Sequence, residues 1–160
     1  MTTPERASPR PPFGVSVPAS TSNLGPGFDF LGLALDLALE VRVAGPATGA
    51  VHEIVRREGT ARDWPEGASN LLLRAFEAAR ERFGGPREPL AFEARSEIPV
   101  ARGLGSSGAA VAAGMLLAAA HAERAADEDE LCSLGLAIEG HPDNVCAALV
   151  DGYRHGYARP

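Results

Sequence analysis

The sequence predicts a mixed domain of strands and helices, α/β or α+β, and three observations carry that expectation. Leu33, Leu35, Leu37, Leu39, Val41 and Val43 alternate with Ala34, Asp36, Ala38, Glu40 and Arg42, the period of two that a half-buried strand requires. From Ser107 to about Ala125 the chain is almost pure alanine, leucine and valine, the composition of a helix buried on most sides. Helical and strand signals are intermixed along the chain, and no internal repeat interrupts them.

The elements follow in order. Residues 1–12, rich in Pro, Arg and Ser, read as a disordered leader. Phe13, Val15 and Val17 alternate with Gly14 and Ser16 and predict a short strand that stops at Pro18. The long alternating run is the second strand, ended by Gly45-Pro46. Val51 to Val55 predicts a third, followed by a polar Gly/Pro loop through Gly67. Ser69 is placed to cap a helix whose Leu72, Phe76, Ala79 and Phe83 recur at helical spacing, with Gly84-Gly85 as its stop. Leu90, Phe92 and Ala94 start a strand that reaches Ile98 and halts at Pro99. After the apolar helix, Asp127 with Glu130 forms the pattern of a capping box for a last helix, which turns Leu131, Leu134 and Ile138 inward. The final residues, 151–160, show no apolar period and read as an atypical tail, as a truncation would leave.

Composition narrows the function. The 160 residues are 45 % hydrophobic and 22 % charged, which fits one globular domain. Formal net charge is -6, with 21 acidic against 15 basic residues, and an acidic surface gains nothing from a polyanionic backbone, so nucleic acid is not the expected partner. All 15 basic residues are arginine, which removes the Gly-x-x-x-x-Gly-Lys-Ser/Thr phosphate loop. Two cysteines, Cys132 and Cys146, make neither a disulfide framework nor a zinc cluster. The leader lacks the apolar stretch of a secretory signal, and the longest apolar run, Ala109 to Ala120, is too short to span a bilayer. A soluble, cytoplasmic domain with no membrane partner is expected.

The most informative stretch is Pro99-Val100-Ala101-Arg102-Gly103-Leu104-Gly105-Ser106-Ser107-Gly108-Ala109. Its glycines let the backbone come close to a ligand, and the helix that follows aims unpaired N–H groups and a positive dipole end at the loop. That is an anion site, most naturally for nucleotide phosphates. Ser106 and Ser107 add hydroxyls that can reach a phosphate oxygen or a magnesium ion. The same residues match Gly-x-Gly-x-x-Gly literally, but a dinucleotide fold wants an acidic residue at the end of a strand about 20 residues on. Asp127 and Glu128 stand instead at a helix start. A protein-kinase loop would need a paired lysine.

Two more stretches carry polar groups. Pro18-Ala-Ser-Thr-Ser-Asn23-Leu-Gly-Pro-Gly-Phe-Asp29 is a tight loop that could present Asn23 and Asp29 to a small polar ligand. Glu139-Gly-His-Pro-Asp143-Asn144 ends the last predicted helix, where a carboxylate could complete a magnesium shell. Each alone is better explained as turn chemistry, side chains bonding their own backbone.

Together the three stretches are far more specific, and the set resembles the GHMP kinase superfamily, within it the homoserine-kinase family. The resemblance covers about Phe13 to Val150, and its phosphate loop alone would not choose a member. The version of the first motif at 18–29 is what sets it apart from isoprenoid and sugar kinases. It implies an α+β fold, an N-terminal GHMP domain shaped as a ribosomal-protein-like sandwich with a left-handed crossover. It implies ATP wrapped by Pro99 to Ala109, Asn70 at the adenine, and Mg2+ held by Ser107 and Glu139. Asn23, Asp29 and Asn144 would contact L-homoserine, with Asp143 beside the reacting hydroxyl, Asp143 and Asn144 forming the catalytic pair. A homodimer is common in such families. The resemblance also implies a second α+β domain beyond Asn144, with arginines for the substrate carboxylate, and this chain ends at Pro160. Two other functions fit the same motifs: an inactive nucleotide-binding remnant, and a GHMP kinase for another small alcohol.

Overall fold

The computed structural model describes residues 13–22, 33–125, 127–140, 142–150 and 154–157. Along them run β1 (Phe13–Thr21), β2 (Leu33–Pro46), β3 (Glu53–Gly59), α1 (Leu71–Phe83), β4 (Leu90–Ser96), α2 (Ser106–His121), α3 (Glu128–Glu139), α4 (Pro142–Val150) and β5 (Arg154–Tyr157), with short 3-10 turns at Thr60–Asp63 and Gly67–Ser69. The strands form one sheet in the order β3-β4-β2-β1-β5. Only β3 and β4 are parallel; the other neighbours are antiparallel. A parallel pair needs a crossover, and α1 lies in it.

Alternation along each strand sorts the residues onto two faces. Val15, Val17, Leu39, Val41, Val43, Phe92 and Ala94 are buried in the core, and the register sets Val15 opposite Val41, Val41 opposite Ala94, and Val17 opposite Leu39. The other face carries charges in alternating sign. Glu40 faces Arg95, which faces Glu58; Arg42 faces Glu93, which faces Arg56. Arg42 Nε donates to Glu93 Oε2 at 2.7 Å. Opposite charges on directly paired residues favour this register over its one-residue slip, which would put the charges in the core.

The alanine-rich segment forms α2, buried on nearly all sides and packed on α1, β1, α3 and α4. Its small side chains let α1 approach closely: a Cβ on Gly114 would lie 2.4 Å from the Leu72 carbonyl oxygen. No helix among the described residues is long and apolar enough to cross a membrane.

The structure corrects several expected boundaries. β1 does not stop at Pro18 but runs to Thr21. Its register shifts between Pro18 and Ala19, and such a bulge accommodates a residue with no N–H to give. β3 continues to Gly59 as a charged edge strand. β4 ends at Ser96, whose buried Oγ accepts from the Ile98 N–H at 3.2 Å, turning the chain before Pro99. Asn70, not Ser69, caps α1: its Oδ1 accepts from the Leu72 and Leu73 amides. The capping box of α3 is not made. Asp127 forms no side-chain cap, and Glu130 is drawn instead to Arg82 and Arg124. A further helix, α4, follows Gly140, opened by Pro142 at the position where a missing N–H costs nothing. In the tail, Arg154–Tyr157 pairs with β1 as β5. The leader lies outside the described residues.

His52 couples β3 and β4 to α1. Its Nδ1 accepts from the Leu90 N–H at 2.9 Å, which leaves the proton on Nε2, 3.0 Å from Glu77 Oε2. Burial holds this imidazole below the ordinary histidine value of 6.5, against the opposing pull of Glu77. As pH falls, the unfolded chain takes up its proton first. The associated stability is therefore complete above about pH 6.5 and is lost below it, until the folded imidazole protonates too. Glu77, which Arg80 and His52 hold below the ordinary carboxyl value of 4.5 against the opposing effect of burial, acts only below that pH. Melting temperatures at about pH 7.5 and 5.5 are expected to differ more for the wild type than for His52→Gln.

Candidate functional site

The site begins where β4 hands over to α2. Gly103 and Gly105 take positive φ, 72° and 67°, and Ala101 does so at 56°, a conformation that costs a side-chain-bearing residue about 1 kcal/mol or more. Gly105 occupies the N-cap of α2, and the first intrahelical bond runs from the Ala109 amide to the Gly105 carbonyl at 2.8 Å. The amides of Ser106, Ser107 and Gly108 precede that bond and point out of the helix end. No acidic residue stands in this first turn, so nothing on the helix itself offsets the positive end of its dipole.

Two long-range contacts set the loop in place. The Ser20 amide, on β1, donates to the Leu104 carbonyl at 3.2 Å. Its hydroxyl lies 3.1 Å from the Asn144 carbonyl oxygen and 3.2 Å from Asn144 Oδ1. Ser20 is completely buried, and a single O–H serves one acceptor at a time, so the hydroxyl is held between two. A Cβ on Gly105 would stand 2.3 Å from the Ser20 Oγ, and one on Gly108 would stand 2.9 Å from the Asn144 Cβ. Glycine at both positions thus lets β1 and α4 close on the start of α2. On the β3 side, Thr60 Oγ1 donates toward the Ser96 and Ile98 carbonyls, at 3.2 and 2.7 Å, and fixes where the loop leaves the sheet.

These contacts shape a cleft of about 430 Å³, within the usual range for a small-molecule site. Pro99, Val100, Ala101, Arg102, Gly103, Leu104, Gly105, Ser106, Ser107, Asn70 and Asn144 all line it. Arg102 and Ser107 are exposed there, and Trp64, Pro65 and Leu71 add an apolar wall. Of the remaining predicted residues, Gly108 and Ala109 are buried behind the cleft. Glu139 ends α3, half-buried, and is not part of the cleft wall. Asn23 and Asp29 lie outside the described residues, as does the Asp143 side chain. Asn70 reaches the cleft with its amide engaged on both sides, Nδ2 donating to the Pro65 carbonyl at 2.9 Å while Oδ1 caps α1. Among the described residues no cluster of three or more His, Cys, Asp or Glu forms a metal site.

A family model for the N-terminal domain of GHMP kinases matches residues 70–152, which hold the glycine loop, α2 and Asn144. The chain belongs to the GHMP kinases. Among curated proteins, this GHMP kinase domain is similar to a homoserine kinase of Synechocystis sp., at 42 % identity over 88 % of this chain and 46 % of that protein. A homoserine kinase of Synechococcus sp. is 44 % identical over 88 % of this chain and 45 % of that protein. The homoserine kinase structure from Cytophaga hutchinsonii superposes with a TM-score of 0.77 at 24 % identity, covering 96 % of this chain and 50 % of that one. At that identity the likeness speaks for the fold. This GHMP kinase domain therefore spans about half the length of the curated relatives it matches. The expected α+β class holds, with the helices packed against a mixed sheet.

The residue that sequence reasoning missed is Ser20. The signal was present: a small polar residue between an apolar strand and a Gly-Pro loop, too short to be solvated once the strand is buried. The sequence could not name its partners, which lie in two other motifs.

Proposed function

We propose that this chain supplies the ATP site of a homoserine kinase, an enzyme that moves the terminal phosphoryl group of ATP to the hydroxyl of L-homoserine in threonine biosynthesis, in the cytoplasm. The observation that carries the proposal is the glycine-lined start of α2, open to the same cleft that Asn144 enters from α4. That curated relatives of the chain are homoserine kinases supports L-homoserine as the acceptor.

In this reading the amides of Ser106, Ser107 and Gly108 receive phosphate oxygens, and Arg102, the basic side chain of the cleft wall, adds charge. The base lies against Trp64, Pro65 and Leu71, with Asn70 beneath it. Mg2+ needs only one or two protein ligands when phosphates complete its shell; the exposed Ser107 hydroxyl in the cleft wall would be the first, and Glu139, which ends α3 outside that wall, would be the second only by reaching in from there. The metal would neutralise charge on the phosphates. Asn23, Asp29 and Asn144 orient L-homoserine, and Asp143 stands beside its hydroxyl. Phosphoryl transfer asks chiefly for positioning and charge stabilisation, and a rigid glycine loop on a buried helix supplies the first.

The test is ADP release by the purified 160-residue chain with ATP and Mg2+, with and without L-homoserine. The expected result is homoserine-dependent release that Ser107→Ala cuts about a hundredfold, the scale of losing one preorganised contact to the transferring group. Thermal protection by ATP with no turnover would leave a nucleotide-binding domain and sink the kinase reading for this chain on its own. Turnover with other small alcohols but not L-homoserine would reassign the acceptor.

A further inference from the structure

A second cleft, of about 610 Å³, opens between α1, the loop of residues 47–52 and the end of α3. Among the described residues it shares no lining with the cleft at the start of α2: Gly67 and Ala68 border this one, Ser69 and Asn70 the other. Val51, Leu73, Pro89 and Ile138 give it apolar walls, and Val51, 70 % exposed, turns hydrocarbon surface to the opening. The walls are held in place. Glu53 Oε1 accepts from the Thr48 N–H at 2.9 Å and pins the loop that carries Val51, and His52 is fixed between Leu90 and Glu77.

The charges of the cleft are unbalanced. Among the described residues, three arginines and two glutamates line it. Arg80 and Glu77 pair with each other, and Arg80 Nη1 also donates to the Pro86 carbonyl at 3.4 Å. Arg74 and Arg87 are exposed, and neither side chain makes an ion pair or hydrogen bond among the described residues. Glu81 is the one carboxylate left to oppose them, so the lining keeps a surplus of positive charge on a chain whose formal net charge is -6. Guanidinium groups beside apolar walls match a carboxylate on a hydrocarbon body, since the planar N–H fork takes carboxylate oxygens in pairs. A phosphate fits less well. The Leu72 and Leu73 amides at the start of α1 that could serve it are taken by the Asn70 side chain, and apolar walls do not solvate a dianion. Arg74 is one turn along α1 from Asn70, and the Asn70 N–H donates to the Gly67 carbonyl at 3.0 Å. An occupant here therefore touches the segment that borders the other cleft.

We propose that this second cleft binds a small organic carboxylate with a hydrocarbon body, its carboxylate held by Arg74 and Arg87 and its body laid against Val51, Leu73 and Ile138. The inference stands apart from the kinase reading, and its test needs neither nucleotide nor turnover.

The full chain, with its Ile, Leu and Val methyl groups isotopically labelled, is titrated with hexanoate and followed by NMR. The expected result is saturable shifts at Val51, Leu73 and Ile138 with a Kd in roughly the millimolar range, the scale that so small a ligand allows. Arg74→Gln combined with Arg87→Gln is expected to weaken binding about tenfold or more, and each change alone severalfold, which keeps the test open if the double variant folds poorly. Arg56→Gln, on the charged face of the sheet, is expected to leave binding unchanged. No saturable shift at the three residues, or an equal loss with Arg56→Gln, would overturn the proposal. Hexylammonium binding as tightly as hexanoate would reduce the cleft to an apolar patch and overturn it too. Inorganic phosphate displacing hexanoate at equal or higher affinity would overturn the assignment of a carboxylate.

Discussion

Gly114→Ala is expected to lower the stability of this domain by at least about 2 kcal/mol, although alanine is the better helix former. In an isolated helix the change would gain about 1 kcal/mol. Here the added Cβ would lie 2.4 Å from the Leu72 carbonyl oxygen, 2.8 Å from the Phe76 amide nitrogen and 2.9 Å from the Ala75 Cβ. Two of those atoms are α1 backbone, which has no rotamer to change, so α1 as a body must retreat from α2. The retreat opens a gap along Leu72, Ala75, Phe76 and Ala79, all fully buried, and even a fraction of an ångström of separation forfeits much of the dispersion energy between packed atoms. Overpacking of about 1–3 kcal/mol or more, with that loss added, outweighs the propensity gain. The change should appear as a melting temperature lower by roughly 5 °C and an earlier urea midpoint with the slope unchanged. A midpoint equal to or above the wild type's would mean that α1 and α2 are not in close contact at Gly114.

The same close approach shows which parts of the molecule the sequence could express. β2 and α2 were legible because a period of two over the Leu33–Val43 run, or an unbroken apolar composition after Ser107, is a local property of the chain. The glycine loop was legible for the same reason: Gly103, Gly105 and the start of α2 are contiguous, and so are the amides they expose. What escaped depends on partners far away. Ser20 and Asn144 are 124 residues apart, and neither signals the other. Pro18 reads as a strand breaker, yet β2 supplies a neighbour against which a bulge can form. Asp127 and Glu130 spell a capping box, but Arg82 and Arg124 compete for the same carboxylate at 3.2 and 2.8 Å. Ser69 and Asn70 are both good caps, and the choice fell to Asn70 because Pro65 could also accept its amide nitrogen. α4 was hidden by its length, although Val145, Ala148 and Leu149, all buried, hold helical spacing behind Pro142. Gly108 and Gly135 gave no sign of being packing glycines until the helices they admit were placed.

Gly105→Ala is expected to disable the cleft more completely than any single change in its lining side chains, and Gly103→Ala provides its comparison. Both glycines hold a left-handed φ, 67° and 72°, so both substitutions carry the backbone cost of about 1–2 kcal/mol. They differ in surroundings. A Cβ on Gly103 meets nothing within 4 Å, while one on Gly105 meets the Ser20 Oγ at 2.3 Å, its carbonyl oxygen at 2.7 Å and its amide nitrogen at 3.1 Å. The Ser20 hydroxyl cannot swing aside without giving up Asn144, and the Ser20 backbone is fixed in β1 by its pairing with Ala34. The loop must therefore move off β1, breaking the bond from the Ser20 amide to the Leu104 carbonyl and turning the first amides of α2 away from the cleft. A further cost of about 1–3 kcal/mol follows from the overlap, giving a total of about 2–5 kcal/mol against about 1–2 for Gly103→Ala. The functional readout separates them further. With Gly103→Ala, Mg2+ and ATP should still raise the melting temperature, because the helix end keeps its aim. With Gly105→Ala that protection should vanish even in whatever fraction stays folded by circular dichroism, since phosphate oxygens would no longer meet the amides of Ser106 and Ser107 together. Equal protection in the two variants would show that nucleotide binding does not depend on the contact between β1 and the start of α2, and the phosphate site would have to be sought elsewhere on the cleft wall.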